Sequence, residues 1–389
     1  MKTFTCFFSL FLYSIHCLAQ TFTYNQGGAS AKNYYAEIPY ETINGKIFVS
    51  VGLAGKTHKF LFDTGAPVML SEDLVEQMGA AVVYRDKLTD AYGGHDSISA
   101  VKIDSLRLGP LTFDTVVASR GIPAFYKCWG ADGVIGSNLL RGSIVRIVPE
   151  RQIIILTDQE ERLQLDKNKS IPLVTNIGIQ SDPKIVVRFG GKTDLLLGFD
   201  TGDGTLLRIS EDDLDRLKRS KVCNILSDGY GSHTFSMTGM AKDADKYLVT
   251  APSVDIDGRQ FSNVTFETFK NANPGMGAGL LKYGSVTLDF LHDRFYFEPK
   301  DTSLDLSEKQ WPFQPTLSGD KLVVGLIWKS RSSQLKPGQQ IIAIDDISFE
   351  HVDFCNLINR PPLLAGKETA VITVKDEEGN ITRVRIGKE

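Results

Sequence analysis

The sequence predicts a mainly β fold in which two homologous lobes face each other across a pseudo-twofold axis, followed by a small α+β domain. Three observations lead to this prediction. A series of short motifs occurs twice in the same order, and apolar strand-like runs alternate with glycine-containing turns throughout both copies. The repeat then stops and the composition changes beyond about residue 311, which indicates a third domain.

The internal repeat consists of four motif pairs whose spacing is nearly constant, from 136 positions (191 − 55) to 139 positions (210 − 71). The pairs are Gly55-Lys56-Thr57 with Gly191-Lys192-Thr193, Asp63-Thr64-Gly65 with Asp200-Thr201-Gly202, Ser71-Glu72-Asp73 with Ser210-Glu211-Asp212, and Tyr92-Gly93-Gly94-His95 with Tyr230-Gly231-Ser232-His233. Four ordered matches at one spacing do not arise by chance at ordinary residue usage. The chain therefore contains a duplicated lobe.

Local patterns within each copy predict strands and one short helix. Residues 46–51 and 59–62 are apolar-rich and flank a glycine-containing turn, which is typical of a hairpin. Ser71 and Ser210 each precede a short amphipathic run, and serine at such a position caps a helix N-terminus. Each lobe is thus predicted to be strand-rich with one brief helix.

The composition excludes a nucleic-acid partner. The net charge is −4, the hydrophobic content is 42% and the charged content is 23%, all of which are ordinary for a globular protein. The sequence contains no basic cluster and no long block of like charge. We expect the protein to be a monomer.

The N-terminus predicts export. Lys2 precedes an apolar run over residues 4–18, and small residues at positions 17 and 19 suit cleavage after Ala19. We therefore expect residues 1–19 to be a signal peptide and the mature protein to be periplasmic or extracellular. A lipoprotein acylated at Cys17 is disfavoured by the bulky His16 before it. No later stretch is apolar for long enough to span a membrane.

Three cysteines remain after this cleavage, namely Cys128, Cys223 and Cys355. An odd, widely scattered set is not typical of a disulfide framework. We expect all three to be small buried hydrophobic side chains rather than bonded partners.

The duplicated Asp-Thr-Gly carries the predicted chemistry. Each triplet follows an apolar strand, and glycine at its third position permits a tight turn. If the lobes pair face to face, the carboxyl groups of Asp63 and Asp200 meet. Two like charges about 3 Å apart cannot both ionise easily, so the pair holds one proton. The ionised member can activate water while the protonated member polarises a carbonyl, without metal, cofactor or nucleophilic side chain.

The motifs resemble those of two-lobed retropepsin-like and pepsin-like aspartic peptidases of bacteria that carry a C-terminal PDZ domain. Residues 61–66 match the first active-site motif of that family, and Val134-Ile135-Gly136 matches its second marker. The marker of the second lobe, at residues 275–278, is a poorer match. The resemblance covers roughly residues 40–300, and it implies two acid-protease-like β lobes.

The resemblance implies an aspartic endopeptidase in which one of Asp63 and Asp200 is the acid and the other is the base, in either order. The residues implied to support this dyad are Thr64, Gly65, Thr201 and Gly202, with the two threonines interlocking across the lobes. The rival interpretation is a catalytically silent peptide-binding protein that uses the cleft and the PDZ-like domain. A serine or cysteine hydrolase is unsupported because the sequence has no nucleophile elbow.

A glycine-rich hairpin about 30 residues after each triplet fits the family's substrate-covering flaps. The flap residues implied in this way are Tyr92, Gly93, Gly94, Tyr230 and Gly231. The alternative is an ordinary hairpin with a packed tyrosine. His95 and His233 lack a neighbouring cysteine or histidine, so we expect exposed flap positions rather than metal ligands.

Residues 335–346 resemble the bacterial PDZ pattern, although Gln339 replaces its usual aspartate. PDZ domains bind extended peptides by strand addition, which implies a peptide ligand here. The alternative is a packing module that only stabilises the rest of the chain. The predicted domains are therefore the signal peptide (1–19), two lobes (20–165 and 166–304) and a PDZ-like domain (305–389).

Asp203 departs most from the family pattern. Ala66 follows the first triplet, whereas Asp203 follows the second, where relatives usually carry serine, threonine or alanine. One interpretation is that Asp203 points outward or bonds backbone amides within the turn. The other is that its carboxylate lies close to the dyad and disfavours ionisation there.

Overall fold

The computed structural model describes residues 22–89, 95–176, 179–236, 239–301, 304–329 and 334–389. The predicted signal peptide and the predicted flap residues Tyr92, Gly93 and Gly94 lie outside these ranges. Within the described ranges, no helix is long and apolar enough to cross a membrane.

The described chain is mainly β, as predicted. The first copy of the repeat contains β1 (Gly28–Ala29), β2 (Tyr35–Ile43), β3 (Lys46–Leu53), β4 (Lys56–Asp63), β5 (Met69–Leu70), α1 (Glu72–Met78), β6 (Val82–Thr89), β7 (His95–Leu108), β8 (Leu111–Arg120), β9 (Ala131–Gly136), α2 (Ser137–Leu140), β10 (Ile144–Val148) and β11 (Ile153–Thr157). Short 3-10 helices lie at Ala124–Trp129, Pro149–Arg151, Glu160–Arg162 and Lys167–Lys169.

The second copy contains β12 (Ile171–Asn176), β13 (Asp182–Phe189), β14 (Thr193–Asp200), β15 (Leu207–Ser210), α3 (Glu211–Arg219), β16 (Asn224–Gly231), β17 (Phe235–Ser236), β18 (Gly239–Met240), β19 (Ala244–Ile256), β20 (Arg259–Phe269), β21 (Gly275–Gly277), a 3-10 helix (Ala278–Lys282), β22 (Gly284–Asp289) and β23 (Arg294–Pro299). The C-terminal segment contains β24 (Phe313–Ser318), β25 (Lys321–Trp328), β26 (Gln340–Ile344), β27 (Ile347–Ser348), α4 (Phe354–Asn359), β28 (Thr369–Lys375) and β29 (Ile381–Gly387).

The two predicted helix caps are confirmed. The Ser71 Oγ accepts a hydrogen bond from the Leu74 amide at 3.2 Å, and the Ser210 Oγ accepts one from the Asp213 amide at 3.1 Å. Each bond satisfies an amide that the first turn of a helix leaves without an intrahelical partner. These caps start α1 and α3 at equivalent places in the two copies.

The strands next to each Asp-Thr-Gly pair in the same way in both copies. β3 and β4 form an antiparallel hairpin, and so do β13 and β14. β4 then runs parallel to β9, with Asp63 opposite Gly136, and β14 runs parallel to β21, with Asp200 opposite Gly277. The Val134-Ile135-Gly136 marker of the first copy and its poorer counterpart at residues 275–278 therefore occupy matching positions beside the two aspartates.

One continuous sheet joins the two copies. Its strands follow the order β2, β11, β10, β22, β23 and β12. The first three strands belong to the first copy and the last three to the second. The central antiparallel pairing of β10 with β22 places Ile147 opposite Val286. A single hydrophobic cluster draws on both copies and includes Phe62 and Phe199, which directly precede the two aspartates. Burial of this cluster fixes the triplets relative to each other.

The C-terminal segment has a separate hydrophobic cluster that includes Phe313, Ile341 and Ile372. Its strand β25 also pairs antiparallel with β16 of the second copy, with Tyr230 opposite Ile327. The segment is therefore joined to the second copy by backbone hydrogen bonds. Its PDZ-like character and the domain boundaries at residues 165 and 304 stay predictions.

The expectation of three separate buried thiols is wrong for two of the cysteines. Cys128 and Cys355 form a disulfide across 227 residues of sequence, with their α-carbons 4.8 Å apart. The 3-10 helix Ala124–Trp129 and α4 lie side by side and bring them together. The spacing of cysteines in a sequence does not reveal such a long-range pairing. Cys223 is free and half-buried.

We expect this disulfide to hold α4 in place. In a Cys355→Ser variant, amide hydrogen exchange should speed up in α4 and in Ala124–Trp129, because the covalent constraint is lost. Exchange in the central six-stranded sheet should stay unchanged. Cys223→Ser is the matched control, since that cysteine is not bonded. Equal exchange of α4 in both variants and in the unaltered protein would show that other contacts hold it.

Candidate active site

The two threonines of the triplets hold each other in a reciprocal set of four hydrogen bonds. The Thr64 amide donates to the Thr201 Oγ1 at 3.1 Å, and the Thr201 amide donates to the Thr64 Oγ1 at 3.1 Å. The Thr64 hydroxyl donates to the Phe199 carbonyl at 2.7 Å, and the Thr201 hydroxyl donates to the Phe62 carbonyl at 2.9 Å. Both threonines are fully buried. Fully satisfied buried polar bonds of this kind fix one relative geometry of the two triplets.

The glycines of the triplets allow the two aspartates to meet. A β-carbon at position 65 would lie 2.6 Å from the Asp200 Cγ, and one at position 202 would lie 2.3 Å from the Asp63 Cγ. Each glycine therefore makes room for the aspartate of the other copy. This is a different reason from the tight turn that the sequence suggested, since neither glycine adopts a positive φ. The amides of Gly65 and Gly202 each donate to the aspartate of their own triplet at 2.9 Å.

Asp63 retains its proton more readily than an ordinary aspartate. Burial, and then the charge and hydrogen bond of Asp200, raise the pKa of Asp63 well above its usual value of 3.8. The Gly65 amide and the positive charge of Lys46 act in the opposite direction with smaller effect. Two hydrogen-bonded carboxyl groups in this setting share one proton.

Two further groups from the first copy surround the dyad. The Lys46 ammonium donates to the Gly202 carbonyl of the second copy. The Tyr126 side chain is buried, and burial followed by the charges of Asp63 and Asp200 raises the pKa of its hydroxyl above the ordinary value. Tyr126 is therefore a neutral hydroxyl beside the two carboxyl groups.

The Asp200 side of the dyad carries a buried ion pair. Arg208 is 3% exposed, and its Nη1 contacts the Asp203 Oδ2. The Arg208 Nη2 lies 3.6 Å from the Asp200 Oδ2, and its Nε donates to the Asn273 carbonyl at 2.8 Å. The Asp203 Oδ1 accepts a hydrogen bond from the Thr205 amide at 2.9 Å. The guanidinium thus bridges Asp203 and the catalytic candidate Asp200.

Both interpretations of Asp203 are partly right. The side chain bonds a backbone amide within its turn, and it also lies close to the dyad. Its charge is compensated, however, because Arg208 stands between it and Asp200. Sequence reasoning missed Arg208. The available signal was a charged residue within the otherwise apolar run 206–209, five positions after Asp203.

The equivalent corner of the first copy is apolar. Strand pairing places Met69 opposite Val134 and Arg208 opposite Gly275. Met69 and Val134 are buried together with Ala66, which follows the first triplet as Asp203 follows the second. A β-carbon at position 275 would lie 2.6 Å from the Arg208 Nη2, so Gly275 leaves room for the guanidinium. The second copy therefore has an ion pair and a glycine beside Asp200, where the first copy has three apolar residues beside Asp63.

A cavity of about 810 Å³ lies over the dyad and is lined by residues from both copies and from the C-terminal segment. The β6–β7 hairpin contributes Tyr84, Lys87 and Ile98 to its wall. Tyr230 is 45% exposed and lies in β16 opposite β25, outside the residues that line this cavity. The flap role of Tyr230 and Gly231 stays a prediction.

His233 is not an exposed residue. Its imidazole is half-buried, and its Nε2 lies 2.9 Å from the Glu267 carboxylate. Lys246 contacts the same carboxylate at 3.3 Å. Burial by itself raises the pKa of Glu267, but the interactions with His233 and Lys246 outweigh it and lower this pKa to about 2. His233 therefore belongs to a partly buried charge network with Glu267 of β20 and Lys246 of β19.

Residues 49–139 match the family model described as Aspartyl protease. No curated protein sequence matches the chain significantly. Similar solved structures include an aspartic proteinase from Irpex lacteus, at 14% identity and a TM-score of 0.43, over 69% of this chain and 98% of that chain.

Two other similar structures come from different sources. A retropepsin-like aspartic protease from Rickettsia conorii has 16% identity and a TM-score of 0.26, over 32% of this chain and 94% of that chain. Basic 7S globulin from soybean has 11% identity and a TM-score of 0.39, over 68% of this chain and 94% of that chain. Residues 49–139, which match the aspartyl protease family model, contain Asp63, and the second copy repeats the Asp-Thr-Gly motif of this segment.

Proposed function

We propose that the protein is an exported aspartic endopeptidase whose catalytic pair is Asp63 and Asp200. One observation carries the proposal. Reciprocal threonine bonds and two glycines hold the carboxyl groups of the two copies against each other, and this proximity together with burial raises the pKa of Asp63. We further propose that the two copies are lobes related by a pseudo-twofold axis, which the matching strand pairings beside each aspartate support.

The proposed reaction is direct attack of water on a peptide bond. The ionised carboxylate takes a proton from the water molecule while the oxygen of that water bonds to the carbonyl carbon of the peptide. The protonated carboxyl group gives its proton to the carbonyl oxygen, which forms a neutral tetrahedral diol. As the diol collapses, one of its hydroxyl groups gives its proton to the ionised carboxylate, the bond from carbon to nitrogen breaks, and the nitrogen takes the proton of the other carboxyl group. The dyad ends with one proton, ready for another water molecule.

The surrounding charges favour one assignment of these roles. Arg208 stabilises negative charge on Asp200, at 3.6 Å from its Oδ2. Burial and the Asp200 charge favour the protonated form of Asp63. Asp200 is then the base that activates water, and Asp63 is the acid. This asymmetry has a structural counterpart, because the corresponding corner of the first copy is apolar.

Export is also part of the proposal. A disulfide between Cys128 and Cys355 suits an oxidising compartment such as the periplasm or the exterior. The predicted signal peptide, residues 1–19, agrees with that location. A peptide ligand at the PDZ-like segment remains a prediction, and strand β25 of that segment already pairs with β16.

The activity is tested by incubating the mature protein, residues 20–389, with a diverse peptide pool from pH 3 to pH 8. Mass spectrometry of the products should reveal cleavage at internal peptide bonds that the Asp200→Asn variant does not produce. That variant controls for contaminating proteases, because it passes through the same purification. Absence of cleavage by the unaltered protein at every pH, together with retained peptide binding, would favour the silent peptide-binding protein instead.

A further inference from the structure

An aromatic cluster lies in the cavity over the dyad, and its three rings come from three distant parts of the chain. Phe125 belongs to the 3-10 helix of the first copy, Phe235 to β17, and Phe354 to α4. The ring centroids of Phe235 and Phe354 are 5.6 Å apart, and those of Phe125 lie 6.2 Å and 6.3 Å from them. All three rings line the cavity that contains Asp63 and Asp200.

The C-terminal segment holds Phe354 at this place through several contacts. Cys355, the next residue, is bonded to Cys128. The Asn359 side chain donates to the Cys128 carbonyl at 2.8 Å. The Asn44 side chain donates to the carbonyls of Ile358 and Arg360 at 2.5 Å and 2.6 Å. Covalent and polar contacts thus fix both ends of α4 against the first copy.

The same segment also supports Phe235. Strand β16, which leads toward Phe235, pairs with β25. Met240, in the strand that pairs with β17, packs against the hydrophobic cluster of the C-terminal segment, and Thr316 contacts its sulfur at 3.5 Å. The C-terminal segment therefore positions two of the three rings.

The cluster has the character of a binding surface rather than of a closed core. Phe235 remains 39% exposed, whereas Phe125 and Phe354 are half-buried. Contiguous apolar surface that stays open to water inside a concave site is typical of a ligand pocket. The cavity is continuous with the dyad, so the occupant is a part of the molecule that reaches the carboxyl groups. An apolar aromatic wall selects an apolar side chain and excludes a charged one.

From these contacts we infer that α4 of the C-terminal segment, through Phe354, forms one wall of a substrate subsite that accepts a bulky apolar side chain. The inference rests on the proposed peptidase function and deepens it. The C-terminal segment is then part of the cleft, and its attachment determines which peptides are cleaved.

Reciprocal size changes at Phe354 test the inference. Phe354→Ala enlarges the subsite, so the preference for phenylalanine over alanine at one substrate position should fall about tenfold. Phe354→Trp narrows it, so preference at the same position should move from aromatic side chains toward valine or leucine. Cleavage sites from the peptide pool identify that position, and peptide pairs that differ only there give the ratios of kcat/KM. Ile381→Ala is the matched control, because Ile381 is a 63% exposed residue of the same segment.

The outcomes separate this inference from the peptidase proposal. If the unaltered protein cleaves peptides and both Phe354 variants keep its preference, the subsite is elsewhere and the peptidase proposal stands. If the unaltered protein cleaves nothing, the peptidase proposal fails. The subsite is then tested with peptides from the pool that bind the unaltered protein: each phenylalanine of a bound peptide is replaced by alanine, and the affinities of both forms are measured for the unaltered protein and the two variants. Affinity changes of opposite sign in the two variants support Phe354 as a wall of the subsite. Equal affinities in all three proteins overturn the inference.

Discussion

Replacing either aspartate of the dyad should abolish peptide cleavage. In Asp63→Asn or Asp200→Asn, we expect kcat to fall by at least about 10³-fold, because an amide neither accepts the water proton nor shares a proton with its neighbour. The reciprocal threonine bonds do not involve either carboxyl group, so the triplets should keep their geometry. Steady-state cleavage of one peptide from the pool, over a range of pH, measures the loss.

The Asp63→Asn substitution should not destabilise the folded protein. The pKa of Asp63 is raised in the folded protein, so its ionisation destabilises the folded state as pH rises above the usual value of 3.8. Asp63→Asn removes this penalty. The variant should therefore match the unaltered protein near pH 3 and gain stability relative to it toward pH 7, as measured by chemical denaturation. A variant that loses both activity and stability at neutral pH would contradict the assignment, and so would near-normal cleavage.

Removing Arg208 should have the largest effect on stability. Arg208→Met leaves the buried carboxylate of Asp203 without its cation, and breaking a buried pair in this way costs roughly 3–5 kcal/mol. The uncompensated charge also lies near the dyad, so the acidic limb of the pH–rate profile should move to higher pH. Asp203→Ala leaves Arg208 beside Asp200 and should move that limb to lower pH. Denaturation and pH–rate measurements on both variants test these opposite signs.

The double variant Asp203→Ala/Arg208→Met is the control for this prediction. It installs the residue types that Ala66 and Met69 provide in the first copy. Because both charges are removed together, most of the lost stability should return, and the pH profile should lie between those of the single variants. Additive losses in the double variant would show that the two side chains do not act as a pair.

The dyad could be predicted from the sequence because the repeat places two copies of one motif in one chain. The helix caps at Ser71 and Ser210 follow from local residue order for the same reason. The role of the glycines could not be predicted from the local sequence, because the atoms that exclude a β-carbon at position 65 belong to Asp200. Close approaches between distant segments leave no local pattern in a single sequence.

The features that sequence reasoning missed depend on contacts between segments that are distant in the sequence. The disulfide joins cysteines separated by 227 residues, and spacing alone gave no sign of it. Arg208 appears in the sequence as one charge in an apolar strand, and its meaning depends on the gap left by Gly275. The aromatic wall combines Phe125, Phe235 and Phe354, which no periodicity connects. Tertiary packing of this kind is visible only in the folded structure.

Direct titration of the two carboxyl groups tests whether Asp63 and Asp200 share one proton. Carbon-13 NMR of mature protein labelled at the aspartate side-chain carboxyl carbons would follow both groups with pH, and the two Asn variants would assign the signals. We expect two coupled steps, with one proton retained well above pH 3.8 and residing mainly on Asp63. Two independent titrations near the ordinary aspartate value would contradict the proposed dyad, because the carboxyl groups would then not share a proton.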